Sequence, residues 1–426
     1  MTQGLVIGTS RLECVAPCES GLEAALAEEL RSLGCQDVDP TRRAVSFVAD
    51  RRLLWHVNLR SRLANRVLVT VVKARVQDRD DLYSAISTVE WERVLTPEQT
   101  LAVDSRTSHL SLHREEFVNQ LSKDAICDRL RRAYGRRPNV DRHRPDVPVH
   151  VHLVGDRATV LLDASGERLH RRGYRARAGA APLKETLAAG LLALAGYDGQ
   201  RPFIDPMCGS GTIAIEAALI ARNIAPGLLR TRRGGAGFAF ERWIGHDRFA
   251  FEREVRVLRD AVRPSCAAPI VASDRDRTIL PVARENAANA FLQDDILFQV
   301  AELEKCVPPG EGALLITNPP YGERLGTPES ARELHERIGD TLKKSFAGCT
   351  AWILCGEASL VGAVGLKPGR KVQLFNGPIA CVAARFDLYS GTRRTPAPPQ
   401  EPSQDVPAEV DGPDVPSDPP EPRAAE

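Results

Sequence analysis

No stretch of this chain limits its possible folds as sharply as Asp205-Pro206-Met207-Cys208-Gly209-Ser210-Gly211-Thr212, set between the apolar run PFI and the apolar stretch IAIEAALIA. A buried strand that turns through glycines straight into a helix is the opening unit of a doubly wound α/β sheet. The surrounding pattern agrees. The amphipathic segment LKETLAAGLLALAG precedes it, and short apolar strands are expected at 269–273, 313–317, 350–355, 371–375 and 381–389, separated by helices. Strands of this kind are covered on both faces, and their carboxyl ends gather the functional residues.

Glycines at such a turn let a ligand approach the backbone closely. The spacing GSGTIA also meets the loose dinucleotide pattern GxGxx[GA], which is weak alone. A dinucleotide site wants an acid about 20 residues later; here the next strand-ending acid, Asp274, comes only after a long insertion. Asp205, directly before the glycines, would repel a pyrophosphate but attract an ammonium or a sulfonium. S-adenosylmethionine carries both. The expected cofactor contacts are therefore Asp205, Pro206, Met207, Cys208, Gly209, Ser210 and Gly211. Asp274 would accept hydrogen bonds from the ribose hydroxyls and Glu302 from the adenine amine. The plain alternatives are a strand-ending turn at Asp205-Pro206 and solvated loop carboxylates at Asp274 and Glu302. Asp294 and Asp295 compete with Glu302 for the third position.

Asn318-Pro319-Pro320-Tyr321 follows the strand ALLIT. Two prolines fix the backbone and remove two amide donors, leaving aimed acceptors. With the Asn318 side-chain carbonyl they can accept from an exocyclic base amine and stabilise the positive charge that grows on it during attack. Tyr321 offers a face for a base taken out of its stack. An ordinary Asn-Pro turn is the bland reading; placement after a buried strand, downstream of the glycine turn, favours the catalytic one.

Upstream, residues 11–76 read as strand–helix–strand–helix–strand, with helices at 20–33 and 53–64, which suggests a ferredoxin-like unit. Helices near 82–89 and 117–134, a strand at 100–104 and the hairpin-like pair VPVHVHLVG and RATVLLDAS close a second small α/β domain. Arg129, Arg131, Arg132, Arg136, Arg137, Arg142 and Arg144 cluster around Tyr134 and His143, and residues 1–180 carry a basic excess. Arg131, Arg132, Arg136 and Arg137, with Arg171, Arg172 and Arg175 nearer the glycine turn, are the expected RNA contacts; a solvated helix face and a basic linker are the alternatives. Residues 391–426 are rich in Pro and acids with no apolar period, so this tail is expected to be disordered.

Over the whole chain, 57 Lys and Arg nearly balance 56 Asp and Glu, so bulk charge names no partner. The ten cysteines form no CxxC pair, which favours reduced thiols over a structural metal. No apolar run approaches the roughly 20 residues of a membrane helix, and the first residues lack the marks of a secretory signal. A cytoplasmic protein is expected.

The combination DPMCGSGT, SD and NPPY resembles the amino-methyltransferases with an NPPY motif, over roughly 183–390. LHRRGYR (169–175), APLKETLAAGLL (181–192), IAPGLLR (224–230), FERWIGHD (240–247) and NGPIACVAARFDLY (376–389) look like bacterial 23S rRNA guanine-N2 methyltransferases of the RlmL type. KDAICDRLR (123–131) looks like part of a THUMP domain. The resemblance implies a class I, Rossmann-like methyltransferase domain with a mixed seven-stranded sheet (166–390). A ferredoxin-like unit (1–70) and a THUMP domain (71–165) would precede it. It also implies S-adenosylmethionine as donor and structured RNA as acceptor: 23S rRNA or a large-subunit assembly intermediate. Two departures stand out: some members carry a second methyltransferase domain, and Glu302 stands where a shorter Asp is usual. The rival readings are a transfer-RNA guanine-N2 enzyme, an adenine-N6 methyltransferase, and an RNA-binding assembly factor with a vestigial pocket.

Overall fold

The computed structural model describes residues 11–175, 183–232, 234–320, 327–377 and 379–389. Tyr321 and the tail 391–426 lie outside the described residues.

The first half opens with β1 (Leu12–Pro17), α1 (Glu23–Ser32), β2 (Gln36–Thr41), β3 (Ala44–Ala49), α2 (Arg51–Arg60) and β4 (Leu68–Arg75). Leu26 and Leu30 of α1 are buried, as the leucine spacing requires. Asp50 caps α2 by accepting from the Leu53 N–H at 2.7 Å. Then come α3 (Arg79–Ser87), β5 (Thr100–Ser108), α4 (Glu115–Tyr134), β6 (Asn139–Val140), β7 (Val147–Val154) and β8 (Arg157–Asp163). The two small units share one eight-stranded sheet, ordered β2-β3-β1-β4-β8-β7-β5-β6. β4 joins them by pairing antiparallel with β8, from Leu68↔Asp163 to Arg75↔Arg157. The boundary expected at 70 thus falls inside β4.

The second half contains α5 (Glu185–Leu194), β9 (Phe203–Asp205), α6 (Thr212–Ala221), α7 (Arg248–Asp260), β10 (Ile270–Asp274), α8 (Leu280–Asn289) and β11 (Ile296–Val300). It continues with β12 (Leu314–Thr317), α9 (Pro328–Ser345), β13 (Thr350–Cys355), α10 (Ala358–Ala363), β14 (Arg370–Asn376) and β15 (Ile379–Asp387). The seven strands run β11-β10-β9-β12-β13-β15-β14, with β15 antiparallel to both neighbours and the first five mutually parallel. Side chains alternate across the sheet. Phe203, Leu314, Ile316 and Trp352 enter a core with Leu187 and Ile213 on one face; Ile204, Leu315 and Ile353 enter another with Ile338 and Leu342. The order reverses beside β9, which opens a crevice at the carboxyl ends of β9, β10 and β12.

The long insertion between α6 and β10 packs on the first half. Leu228, Phe238, Phe240, Trp243 and Phe251 share a core with Leu54, Trp55, Val57 and Leu59. Glu254 of α7 pairs with Arg52 at 2.8 Å and His56 at 2.9 Å. A Cβ on Gly227 would stand 2.6 Å from Leu59 Cα, so the chains meet backbone to backbone. No helix among the described residues is long and apolar enough to cross a membrane.

Candidate active site

The crevice is a cleft of about 620 Å³. Its floor is the turn after β9. Gly211 adopts φ +83°, and a Cβ there would press on Ala283 at 3.2 Å and Phe298 at 3.3 Å, so glycine is required by both backbone and space. Gly209, at φ +52°, has nothing within 4 Å of a Cβ position and lines the cleft. The Gly209 N–H donates to Asp274 Oδ2 at 2.9 Å, and the Asp276 N–H donates to Oδ1 at 2.9 Å. Two backbone donors therefore fix the Asp274 carboxylate at the end of β10 and leave lone pairs turned to a ligand.

Asp205 is 1% exposed and still borders the cleft. Its Oδ1 accepts from Thr317 Oγ1 at 3.0 Å and from the Met207 N–H at 3.2 Å. Burial, with the nearby Asp274 charge, pushes its carboxyl up to about 7, against the pull of those hydrogen bonds. Asn318 lies across from the glycine turn. Its Oδ1 is buried and accepts no hydrogen bond among the described residues. A buried amide oxygen left unpaired is costly, and Asn318 borders a cleft that a donor can enter.

Of the expected site residues, Asp205, Pro206, Met207, Cys208, Gly209, Ser210, Asp274, Glu302, Asn318 and Pro320 all border this one cleft. Gly211 and Pro319 sit behind it. Glu302 is an exposed residue on its rim. The competitors Asp294 and Asp295 precede β11, at the opposite end of the sheet, where Asp295 pairs with Arg222. Sequence reasoning missed the apolar lining of Leu183, Ile279, Leu303 and Leu334; the amphipathic spacing of α9 is the signal that could have flagged Leu334. It also missed Arg337 of α9, which pairs with Glu304 at 2.6 Å.

The basic candidates divide. Arg131, Arg132, Arg136 and Arg137 are exposed at the end of α4, with Arg131 paired to Asp128 at 3.3 Å and Arg136 to Glu98. Arg171 is exposed. Arg172 and Arg175 are corrected by the structure. Arg172 is 2% exposed, 3.5 Å from the fully buried Glu216, and donates to Leu169 O and Arg62 O at 2.8 and 2.6 Å. Arg175 pairs with buried Glu185 at 3.0 Å and donates to Thr212 Oγ1 at 3.2 Å, at the first turn of α6. Arg172 braces α6 through Glu216 and Arg175 braces its first turn through Thr212, so both guanidiniums are engaged inside the protein. Lys184 reaches Glu19 of the first half at 2.8 Å.

The donor set suits S-adenosylmethionine. Asp205 would hold the cationic methionine end, Asp274 the ribose hydroxyls, and Ile279 and Leu303 would enclose the base, with Glu302 at its edge. Gly209 leaves the room that close approach needs.

A sheet of this order, with its ligand crevice at the reversal beside the first parallel strand, defines a class I methyltransferase. The chain belongs to one family of these: residues 172–385 match the RMKL-like methyltransferase domain, residues 76–163 the THUMP domain and residues 13–68 the RlmL ferredoxin-like domain. A Synechocystis protein provisionally described as an RNA methyltransferase is 37% identical over 87% of this chain and 95% of its own length. The ribosomal RNA large subunit methyltransferase K/L of Syntrophotalea carbinolica is 40% identical over 88% of this chain and 53% of its own. The chain therefore spans about half the length of that relative. Among solved structures, SMU.472, provisionally a methyltransferase and crystallised with SAH, superposes with a TM-score of 0.81 at 28% identity, covering 90% of this chain and 100% of its own.

Proposed function

We propose that the chain is an RNA methyltransferase that uses S-adenosylmethionine to methylate the exocyclic N2 of a guanine in 23S rRNA. The match to the THUMP domain and the names of the relatives support RNA; guanine N2 and 23S rRNA rest on the resemblance to the RlmL type. In this reading residues 71–165, with the ferredoxin-like unit 1–70, hold RNA and residues 166–390 carry the chemistry. Ten free cysteines support a reducing, cytoplasmic setting.

The observation that carries the reading is that Asn318, whose buried Oδ1 has no partner among the described residues, borders the same cleft as Asp205. An exocyclic purine amine is a poor nucleophile because its lone pair is delocalised into the ring. As it attacks, it pyramidalises and gains positive charge. Asn318 Oδ1, with the carbonyls of the Asn-Pro-Pro segment, accepts hydrogen bonds from its N–H groups and stabilises that charge without reorganising, and the proton in excess after methyl transfer is released to water. Tyr321 is assigned the stacking face. Bound at the glycine turn, S-adenosylmethionine supplies an electrophilic methyl on a positively charged sulfur. The protein's remaining task is to position and to exclude water, which the apolar lining does.

An assembly factor with a vestigial pocket would have no use for a cleft whose acceptor stays unpaired. The adenine-N6 rival keeps one observation: a Listeria monocytogenes structure predicted to be an N6-adenine-specific DNA methylase superposes with a TM-score of 0.79 at 29% identity, over 90% of this chain and 97% of its own. Mass spectrometry of nucleosides from a deletion strain separates the readings. Loss of N2-methylguanosine from large-subunit rRNA alone is expected; loss from transfer RNA, or loss of N6-methyladenosine, assigns the rival.

A further inference from the structure

A second cleft, of about 590 Å³, lies between the loop 142–146, the segment 165–171 and the insertion turn 234–239. We infer that it is the groove in which the phosphodiester backbone of the RNA lies while a base occupies the first cleft. This rests on the reading of the acceptor as RNA.

Six guanidinium side chains border it: Arg66, Arg142, Arg144, Arg168, Arg171 and Arg242. The carboxylates at the cleft are fewer, namely Asp104, Asp146 and Glu167, and they are partly engaged. Asp146 accepts from the Thr100 N–H at 2.9 Å and pairs with Arg242 at 3.2 Å, while Glu167 faces Arg144 at 3.9 Å. Arg66 pairs with buried Asp163. Arg142, Arg168 and Arg171 are exposed and make no ion pair with any described residue. They are charges in place for an anion that comes from outside the chain.

Exposed arginines alone are ordinary; the construction beneath them is not. Arg230 is 2% exposed. It donates to Ser165 O and Glu167 O at 3.0 Å on one wall and to Gly237 O at 2.8 Å on the other, with its guanidinium 4.8 Å from the Phe238 ring. A buried cation thus stitches the two walls together and adds positive potential from below. The same strut shapes the glycine turn. A Cβ on Gly235 would stand 2.2 Å from Arg230 O, whereas Gly234, at φ +78°, opens onto empty space. Backbone is therefore approachable in the cleft as it is at phosphate sites elsewhere.

Three unpaired guanidiniums spread along one cleft suit a run of phosphodiesters better than a single phosphate. The loop 142–146 belongs to the stretch that matches the THUMP domain and the turn 234–239 to the methyltransferase insertion, with 165–171 between the two matches, so RNA seated here touches both halves at once.

The test compares the full chain with Arg142→Ala/Arg168→Ala/Arg171→Ala and with a charge-matched control, Lys344→Ala/Lys367→Ala/Lys371→Ala, on exposed positions of the distal part of the second half. The probe is a protein-free large-subunit rRNA transcript, titrated at several salt concentrations. The cleft variant is expected to bind roughly tenfold or more weakly, with a log Kd against log salt slope shallower by about two. Its melting temperature and its affinity for S-adenosylmethionine should stay at the wild-type values, and the control should move affinity less than the cleft variant does. An unchanged slope in the cleft variant, or an equal loss in the control, overturns the inference while leaving the methyltransferase reading intact. Saturation of the cleft by adenosine monophosphate alone, with RNA affinity untouched, overturns it in favour of a nucleotide site. Failure of the wild-type chain to bind the transcript overturns both readings.

Discussion

The Asp205 carboxyl and the Asn318 Oδ1 are each buried polar groups whose surroundings leave them incomplete, and each has a measurable consequence. The Asp205 carboxyl titrates near 7 because it is desolvated and lies close to Asp274. Its folded-state value lies above its ordinary one, so the folded chain holds a proton that the unfolded chain has lost. That group's contribution to stability therefore falls as pH rises from about 4 to about 7 and is constant beyond. Only the ionised form attracts a cationic donor. Affinity for S-adenosylmethionine, measured by calorimetry, should tighten between pH 6 and pH 8, with proton release at the lower end. Asp205→Asn should bind roughly tenfold more weakly and show no such profile. A flat profile in the wild-type chain would remove Asp205 from the cofactor site. These residues were legible in the sequence because a carboxylate or amide at a strand's carboxyl end announces its own chemistry. Arg172 and Arg175 were not: LHRRGYR reads as a basic linker, and nothing in the spacing tells that Arg172 and Tyr174 turn inward while Arg171 turns out.

At the scale of elements, the segment around Arg172 behaves as a strut between α6, through Glu216, and the loop after α2, through Arg62. Burial raises the Glu216 carboxyl, and the Arg172 and Arg62 charges pull it back. Arg172→Ala would leave Glu216 with only part of that compensation, and denaturant unfolding should show a loss of about 3–5 kcal/mol. An RNA-contact role predicts the reverse: weakened RNA binding at unchanged stability. The elements were read from apolar periodicity, which is why α1, α4, β7, β8 and the parallel strands β9, β10, β12 and β13 were anticipated. β2 was not anticipated, because its side chains are almost all exposed and carry no apolar alternation. The joining of the two small units through β4 and β8 was equally hidden, since edge pairing is made by backbone groups that every residue type carries.

At the scale of the whole molecule, the described residues form two sheets locked by an insertion whose aromatic residues belong to the other half's core. From sequence that insertion was only a long gap before Asp274, because its partners lie far away in the chain. Its packing ties the described residues of the two halves together, which is what the proposed function requires if the target base of a structured acceptor is to reach Asn318 in register. The account stands or falls on what the intact chain does to protein-free 23S rRNA in the presence of labelled S-adenosylmethionine. N2-methylguanosine should form with the wild-type chain, and Asn318→Ala should reduce its rate by about 10²-fold or more while the Kd for donor and for RNA stays within a few-fold. Label in N6-methyladenosine, or full methylation by Asn318→Ala, would contradict it.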